Sequence, residues 1–145
     1  MTDSQNEATD SPIKWVADHI HRYTMSDGKS GHRWSGVYTL LITTCGRKTG
    51  MLRRTALIYG QDGERYVVVA SNGGKNKNPA WYLNLLENQE VQVQVGAEIF
   101  VARAYPTTAE ERPRLWELMT SIFPMYENFK KKTSREIPVV IIERI

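Results

Sequence analysis

The sequence predicts a mainly β protein of the α+β class, with six or seven mostly antiparallel strands closed into a small barrel and three or four peripheral helices. Two observations predict this fold. Apolar, β-branched runs recur with short glycine-containing links between them, as in hairpins. Helical periodicity, in contrast, is confined to segments that follow a helix-start signal. The 145 residues are 41% hydrophobic and 24% charged, which is enough for one globular domain.

The N-terminal region is predicted to be a tail followed by a helix. Residues 1–11 are polar and contain few apolar side chains, so we expect a disordered tail, with the single domain spanning 12–145. Ser11 and Pro12 are typical of an N-cap and a first helical position. Apolar residues then recur at helical spacing to about residue 24, and a glycine-containing loop over 26–36 follows.

The strands are predicted from apolar runs bounded by turn residues. These runs occupy residues 37–44, 54–59, 66–70, 90–95, 99–105 and 137–142. Asp62 and Gly63 supply the positive φ of a tight hairpin turn between the second and third runs. Valines alternate with Gln92 and Gln94 in the fourth run, which predicts one face that is wet or turned to a ligand.

Two further helices and a short segment are predicted around these strands. Asn78 and Pro79 open a helix to about residue 88, and Thr108 with Glu111 forms a capping box for a helix to about residue 122. Pro124 interrupts that helix before an aromatic segment at 123–129. The intervening loop 71–77 is rich in glycine and asparagine and is expected to be flexible.

A basic turn between the first two strands is the main functional signal. Gly46 and Gly50 bracket a tight link, and no acidic residue lies among its cations. These cations are Arg47, Lys48, Arg53 and Arg54. Holding like charges close together costs energy, and an anion bound between them is the simplest compensation.

The charge distribution points to the same kind of ligand. Residues 28–86 contain nine Lys or Arg and two acids, a balance of +7, whereas the rest of the chain totals −4. Lys75 and Lys77 lie in the loop that enters a helix N-terminus, which itself attracts anions. We therefore expect a local anion site rather than the uniformly basic surface of a general nucleic-acid binder.

Other chemistries have little support in the sequence. No phosphate-binding loop, dinucleotide fingerprint or serine-hydrolase elbow is present. His19, His21 and His32 lack metal-ligand spacing, so we predict surface histidines and no metal site. Cys45, the only cysteine, is expected to be a buried small hydrophobe. With no signal peptide or membrane-length apolar run, the protein is predicted to be cytoplasmic.

The chain resembles a known family. The matching residues are 41–50, Arg53-Arg54, 69–71, 78–84, 91–95, 109–112 and 137–138. Together they resemble the deazaflavin (F420)-dependent nitroreductase family over roughly residue 37 to the C-terminus. The resemblance implies a split β-barrel that binds coenzyme F420 in its reduced form, F420H2. It also implies hydride transfer to a small organic acceptor, namely a quinone, an enone or a nitro compound.

The resemblance also implies a cofactor site. Its members would hold the phosphate and tail, line the ring pocket and close the far side of the site. They are Arg47, Lys48, Thr49, Arg53, Arg54, Thr55, Ala56, Leu57, Ile58, Val69, Ala70, Ser71, Asn72, Lys75, Ala80, Trp81, Tyr82, Leu83 and Asn84.

The acceptor pocket is implied by the aromatic segment. Phe123, Tyr126 and Phe129 match positions at which relatives carry several tyrosines. Tyr126 is the first candidate for hydrogen-bonding or protonating the acceptor, and Ser71 is the second. Because fewer polar groups remain here, a quinone or an enone is at least as plausible an acceptor as a nitroimidazole.

Several alternatives stay open. The fold would also suit a flavin-mononucleotide enzyme of the pyridoxamine-phosphate oxidase type, or a binding protein without turnover. A small barrel binding single-stranded nucleic acid is disfavoured because the basic turn lacks exposed aromatic residues. The protein is expected to be a monomer or a homodimer. A quinone-like acceptor would make peripheral contact with the inner face of the membrane reasonable, through Phe123, Phe129 and residues 130–132.

Overall fold

The computed structural model describes residues 8–145, so most of the predicted tail lies outside the described residues. Thr9–Asp10 forms a short strand, β1, that pairs in parallel with Arg53 and Arg54. The prediction of disorder is therefore wrong for these two residues. Asp10 is anchored because its Oδ1 accepts a hydrogen bond from Arg54 Nε at 2.7 Å.

The described residues form nine strands and four α-helices. The further strands are β2 (Arg33–Trp34), β3 (Val37–Cys45), β4 (Leu52–Ile58), β5 (Gly60–Asp62), β6 (Arg65–Val69), β7 (Glu90–Val95), β8 (Glu98–Pro106) and β9 (Val139–Arg144). The helices are α1 (Lys14–Met25), α2 (Ala80–Glu87), α3 (Arg112–Ile122) and α4 (Met125–Lys132), and a 3-10 turn spans Asn72–Gly74.

The α+β class, the helix count and the mainly antiparallel pairing are confirmed, but the strand number is higher than predicted. The six predicted apolar runs correspond to β3, β4, β6, β7, β8 and β9. The additional strands β1, β2 and β5 are two or three residues long, and so too short to show a period in the sequence. Within residues 8–145 only the β1–β4 ladder is parallel.

The strands form one open sheet in the order β1-β4-β3-β7-β8-β9-β6-β5, with β2 paired to β3. The predicted hairpin around the basic turn is confirmed, with Cys45 opposite Leu52 and Thr39 opposite Ile58. No ladder closes the sheet in the described part of the chain, so the predicted closure is wrong. The chain nevertheless passes from β4 to β5 through the single residue Tyr59, which brings the two edges of the sheet near one another.

The sheet has apolar residues on both faces. Its inner face is filled by one cluster that includes Leu40, Val68, Val93 and Ile142. The helices α3 and α4 cover the outer face of β6 and β9 through residues such as Leu115 and Met119. Because each strand alternates its side chains between the two faces, the outer-face cluster lies directly behind the inner one.

The helix α1 packs on the outer face beside Leu41 and Ala56. It begins at Lys14, two residues after the predicted start, and Ser11 Oγ accepts the Ile13 main-chain N–H at 3.3 Å instead of capping the helix. Its buried residues are Val16, His19, Ile20 and Tyr23.

One polar residue of α1 and one of β7 are buried by these contacts. His19 is 3% exposed, so the prediction of a surface histidine is wrong there. Gln94 is 2% exposed and donates to the Gly96 carbonyl at 3.0 Å, so the β7 face that was predicted to be wet or turned to a ligand is buried at this position, whereas Gln92 is half-buried. Both lie near Tyr23, whose hydroxyl donates to the Thr39 carbonyl at 3.0 Å.

The predicted capping box is half formed. Thr108 Oγ1 accepts the Glu111 main-chain N–H at 3.2 Å, but the Glu111 carboxylate binds Arg65 at 2.7 Å instead of returning to the cap. Tertiary pairing has therefore replaced the second local hydrogen bond, and α3 begins at Arg112. None of the helices in the described residues combines the length and the apolar character that crossing a bilayer requires.

Candidate active site

A cavity of about 290 Å³ lies between β4, the end of β6, α1 and α4. It brings together residues that the sequence analysis assigned separately to the ring pocket and to the acceptor pocket. These are Ala56, Leu57, Ile58, Val69, Ser71, Phe123, Tyr126 and Phe129. Most of them are apolar, so the cavity suits a flat organic group held by a few polar contacts.

The N-terminal region completes this cavity, which the sequence analysis missed. The additional lining residues are Trp15, Val16, His19, Trp34, Thr39 and Gly73. Trp15 is 61% exposed and stacks on Trp34, with ring centroids 6.0 Å apart and planes 17° from parallel. The sequence did contain a signal for Trp15. Packing of the helix on the sheet does not require a large aromatic side chain at an exposed position, so such a residue indicates a binding surface.

Tyr126 supplies a polar group at the α4 wall. Its side chain is 4% exposed and its ring contacts Phe123 with centroids 5.0 Å apart. No residue in the described part of the chain hydrogen-bonds its hydroxyl. Burial raises the pKa of Tyr126, so the hydroxyl stays protonated and can donate a hydrogen bond into the cavity.

His19 is a second polar group of the cavity wall. Its Nε2 lies 3.1 Å from Thr39 Oγ1, and that hydroxyl donates to the Gly31 carbonyl at 2.6 Å. Because the Thr39 proton is already used, we infer that His19 Nε2 is the donor of the pair. Burial lowers the pKa of His19, which favours a neutral ring at pH 7.

Asn84 joins the basic turn to α2. Its Oδ1 accepts from both the main-chain N–H and Nη1 of Arg47, each at 3.1 Å. Its Nδ2 donates to Thr44 Oγ1 at 3.2 Å. The structure thus brings the predicted residues Arg47 and Asn84 together, but as partners of one another.

The remaining cations of the turn differ in their pairing. Arg54 is half-buried and forms an ion pair with Asp10, so the expectation of a cluster without acidic partners is wrong at this residue. Lys48 and Arg53 are exposed and have no ion pair among the described residues. Thr49 is also exposed, and its Oγ1 accepts the Met51 main-chain N–H at 3.2 Å.

The loop after β6 is anchored by Arg135, a residue that the sequence analysis did not single out. Its guanidinium donates to the carbonyls of Ser71 and Lys75, both at 2.9 Å, and to Asn78 Oδ1 at 2.9 Å. It also reaches the Ala70 carbonyl at 3.4 Å. Loop 71–77 is therefore anchored at two of its carbonyls by hydrogen bonds from a residue about sixty positions away.

The loop also packs closely on α4. A Cβ added to Gly74 would lie 3.1 Å from Phe129 Cα, and Gly74 has φ of +83°, so this position requires glycine. Asn72 adopts φ of +49° and its Nδ2 donates to the Lys77 carbonyl at 2.9 Å. The exposed side chains of Lys75 and Lys77 have no ion pair within residues 8–145.

Some predicted residues lie away from the cavity. Thr55 and Asn72 are half-buried, Ala70 is fully buried and Ala80 is exposed. Trp81 and Leu83 pack against the inner core cluster, and Tyr82 lines a different groove. The described residues contain no group of three or more His, Cys, Asp or Glu that could hold a metal ion, and Cys45 is half-buried.

Comparisons with known proteins identify the family. The family model described as F420H(2)-dependent quinone reductase matches residues 15–144. A Mycobacterium tuberculosis protein named F420H(2)-dependent quinone reductase is 40% identical over 131 residues, covering 88% of this chain and 87% of the relative. A solved structure described as an F420-H2 dependent reductase (FDR-A) is 38% identical, with a TM-score of 0.67 over 72% of this chain and 93% of its own. Another, described as a domain-swapped dimer, is 34% identical, with a TM-score of 0.71 over 92% of this chain and 100% of its own.

Proposed function

The chain belongs to the F420H(2)-dependent quinone reductase family, and on this premise we propose which residues hold the reduced cofactor and which receive the acceptor. The protein is an oxidoreductase that uses F420H2 to reduce a small organic molecule. The observation that carries the residue assignment is the cavity shared by β4, β6, α1 and α4, because it joins a strand wall to an aromatic wall.

We infer that the open sheet is a split barrel. The order of strands places β4 and β5 near opposite edges, yet only Tyr59 separates them along the chain. A sheet whose edges are joined in this way must curl toward closure while remaining unpaired at the gap. The cavity lies at this gap, since β4 and the end of β6 both line it.

The residues present fit a deazaflavin with an anionic tail. Ala56, Leu57 and Ile58 provide an apolar strand wall for a flat ring, and Ser71, two residues after the end of β6, lines the same cavity. Lys48 and Arg53 are exposed cations of the turn with no ion pair among the described residues, so they are assigned to the phosphate. Lys75 is a further cation without an ion pair within residues 8–145, and Arg135 Nε donates to its main-chain carbonyl.

When bound, F420H2 supplies the hydride, and the protein supplies position and electrostatics. The anchored loop and β4 would orient the ring of the bound cofactor, and the aromatic wall of α4 would exclude water from it. The Tyr126 hydroxyl, which is protonated and unpaired within the described residues, donates a hydrogen bond to the acceptor oxygen. Negative charge that develops on that oxygen is stabilised by this donor.

The stacked pair Trp15 and Trp34 is assigned to the acceptor. Both indoles line the cavity, and their parallel arrangement continues outward to solvent through the exposed face of Trp15. A quinone ring entering from this side would stack against an aromatic surface, an arrangement that favours planar acceptors. This supports a quinone over a bulkier, non-planar enone.

The function is tested by mixing the purified protein with F420H2 and menadione and following oxidation of the cofactor. Turnover at a rate proportional to enzyme concentration is expected. Cofactor binding without oxidation would support the non-catalytic alternative. A protein that purifies yellow and reduces menadione only with bound flavin mononucleotide would support the oxidase-type alternative.

The acceptor assignment is tested with Trp15→Ala, an exposed position at which the fold loses little. The KM for menadione is expected to rise several-fold while the Kd for F420H2 is unchanged, because stacking on one aromatic group is worth about 0.5–1.5 kcal/mol. Met25→Ala is the matched control, since Met25 is an exposed apolar residue of the same helix that does not line the cavity. Equal effects of the two variants would contradict the assignment.

Oligomeric state and location stay predictions. One structural neighbour is described as a domain-swapped dimer, so a homodimer is the first state to look for, by light scattering. Among the residues suggested for membrane contact, Phe123 and Phe129 are half-buried and line the cavity. Contact with lipid would therefore depend chiefly on residues 130–132.

A further inference from the structure

A second opening, separate from the cavity, lies where α3 and α4 meet the start of β9. It is a groove of about 720 Å³ between the end of β8, the first turn of α3 and the segment that precedes β9. Its apolar surface comes from prolines, including Pro106 and Pro138, and its polar surface is rich in hydrogen-bond donors. The proposed hydride transfer uses none of these donors.

Tyr82 is the buried donor of this groove. The side chain is 8% exposed and lines the groove, and no described residue hydrogen-bonds its hydroxyl. No fully buried side-chain nitrogen or oxygen in residues 8–145 lacks a hydrogen bond, so the Tyr82 oxygen keeps contact with solvent through the groove. A buried phenol without a protein partner is costly unless water or a ligand bonds to it.

Two cations line the same groove as Tyr82. Arg112 and Lys130 sit 5.4 Å and 5.6 Å from the centre of the Trp116 ring, and all three residues line the groove. Arg112 has one acidic neighbour, Glu136, at 3.7 Å, but that carboxylate is 78% exposed and such pairs contribute little. Lys130 has no ion pair in the described part of the chain.

The threonines add neutral donors. Thr107 and Thr108 both line the groove. Thr108 Oγ1 already accepts the Glu111 N–H, which leaves its own proton to donate. The groove therefore presents phenol, hydroxyl, guanidinium and ammonium donors against one exposed carboxylate.

We propose that this groove binds a small organic anion, whose carboxylate or phosphate meets Arg112, Lys130 and the Tyr82 hydroxyl while an apolar body packs on the prolines. The site is distinct from the cavity that receives the hydride acceptor. The Trp116 ring lies between them, since it lines the groove and its centroid is 6.4 Å from that of Tyr126.

The indole N–H of Trp116 is the reporter for the test. The chain has four tryptophans, so four indole signals are expected in a ¹H–¹⁵N spectrum, and Trp116→Phe identifies the relevant one. This N–H donates to Glu127 Oε1 at 2.7 Å, which fixes its environment. Phenyl phosphate is the anionic probe and phenol is its neutral counterpart, both added to the full chain without cofactor.

The expected result is a saturable shift of the Trp116 signal with phenyl phosphate and none with phenol at the same concentrations. Lys130→Gln should weaken binding roughly ten-fold, because a charged hydrogen bond is lost. Tyr82→Phe, which keeps the ring, should weaken it several-fold. Lys131→Gln is the matched control, since it removes the same charge from a neighbour outside the groove and should change binding less than two-fold.

Three results would overturn the proposal. They are the absence of saturation with phenyl phosphate, equal binding of phenol, and equal weakening by the Lys130 and Lys131 variants. Because no cofactor or acceptor is present, each of these results leaves the reductase assignment unaffected, and a failed reductase assay would leave the groove unaffected.

Discussion

The two sides of the cavity are held in place by different forces. On the β4 and β6 side, hydrogen bonds that Arg135 donates and Asn84 accepts fix the main chain of a loop and a turn. On the α1 and α4 side, aromatic side chains pack on one another, as in the Trp15–Trp34 and Phe123–Tyr126 pairs. The first side is thus held by directional hydrogen bonds, whereas the second is held by apolar packing that depends on shape.

In the proposed function, this difference corresponds to the two tasks of the enzyme, binding the cofactor and receiving the acceptor. Hydrogen bonds to a charged group have defined geometry, which suits a cofactor whose ring must be placed the same way in every turnover. Aromatic packing tolerates changes of shape, which suits an acceptor that enters and leaves. Substitutions on the first side should therefore affect cofactor binding, and those on the second side should affect the acceptor.

The largest effect is expected at Arg135. Its replacement by alanine would leave the carbonyls of Ser71 and Lys75 without their donor, at a cost of about 3–4 kcal/mol in the free energy of unfolding. The Kd for F420H2 should rise in parallel, because the loop that carries Ser71 is released. Urea unfolding and a cofactor titration measure the two quantities.

Two further variants make the Arg135 result specific. Arg135→Lys keeps the charge but cannot bridge several acceptors, so we expect a partial loss. Arg103→Ala removes an arginine that is 57% exposed and should change stability by less than about 0.5 kcal/mol. If Arg135→Ala lowered the free energy of unfolding no more than Arg103→Ala does, the loop would not depend on the Arg135 guanidinium.

The next largest effect concerns the cations of the turn. The double variant Lys48→Ala, Arg53→Ala should weaken F420H2 binding by about 2–3 kcal/mol, because both side chains lack ion pairs in the described residues. Arg54→Ala should weaken it less, since the guanidinium is already paired with Asp10, and should instead lower stability by releasing β1. A greater loss of affinity for Arg54→Ala than for the double variant would reverse the assignment.

Tyr126→Phe should have a smaller effect, restricted to the acceptor side. The hydroxyl has no protein partner within residues 8–145, so its removal should leave the free energy of unfolding and the Kd for F420H2 unchanged. Turnover with menadione should fall about ten-fold, as expected for one lost hydrogen bond near 1.4 kcal/mol. Tyr38→Phe, at a 48% exposed position, is the control and should change neither. Unchanged turnover in Tyr126→Phe would exclude the polar role.

The sequence predicted the parts of the fold that depend on local pattern. The hairpin around the basic turn and the apolar strands follow from the alternation and the glycines of nearby residues. Strands β1 and β2 could not be predicted, because two residues show no period and their pairing depends on distant partners. The same reason explains why Asp10 was not recognised as the partner of Arg54, 44 positions away.

The candidate site was predictable to a similar extent. The residues on β4, at the end of β6 and on α4 were named from a resemblance to the family, and the structure places many of them around one cavity. Trp15, Trp34 and His19 were missed because they lie in the N-terminal region, which the resemblance hardly covers. Arg135 was missed because its neighbours along the chain give no sign of the loop it holds.

The smallest expected effect is a dependence of stability on pH that comes from histidines on the α1 side. Burial lowers the pKa values of His19 and His32 in the folded state. Below the unfolded value near 6.5, the unfolded chain therefore binds more protons than the folded one, and stability falls as the pH is lowered. At higher pH both states carry neutral imidazoles and this contribution is constant.

The variant His19→Gln measures how much of the loss of stability at low pH is due to His19. A glutamine can still donate to Thr39 Oγ1, so the hydrogen bond is kept while the titration is removed. Between pH 7.5 and 5.5, urea unfolding should show a drop in stability that is smaller in His19→Gln by about 1 kcal/mol or less. His21→Gln is the matched control, because His21 is an exposed histidine of the same helix. A drop of equal size in both variants would mean that the cavity wall does not hold His19 neutral, and that the acceptor side is more polar than its aromatic lining indicates.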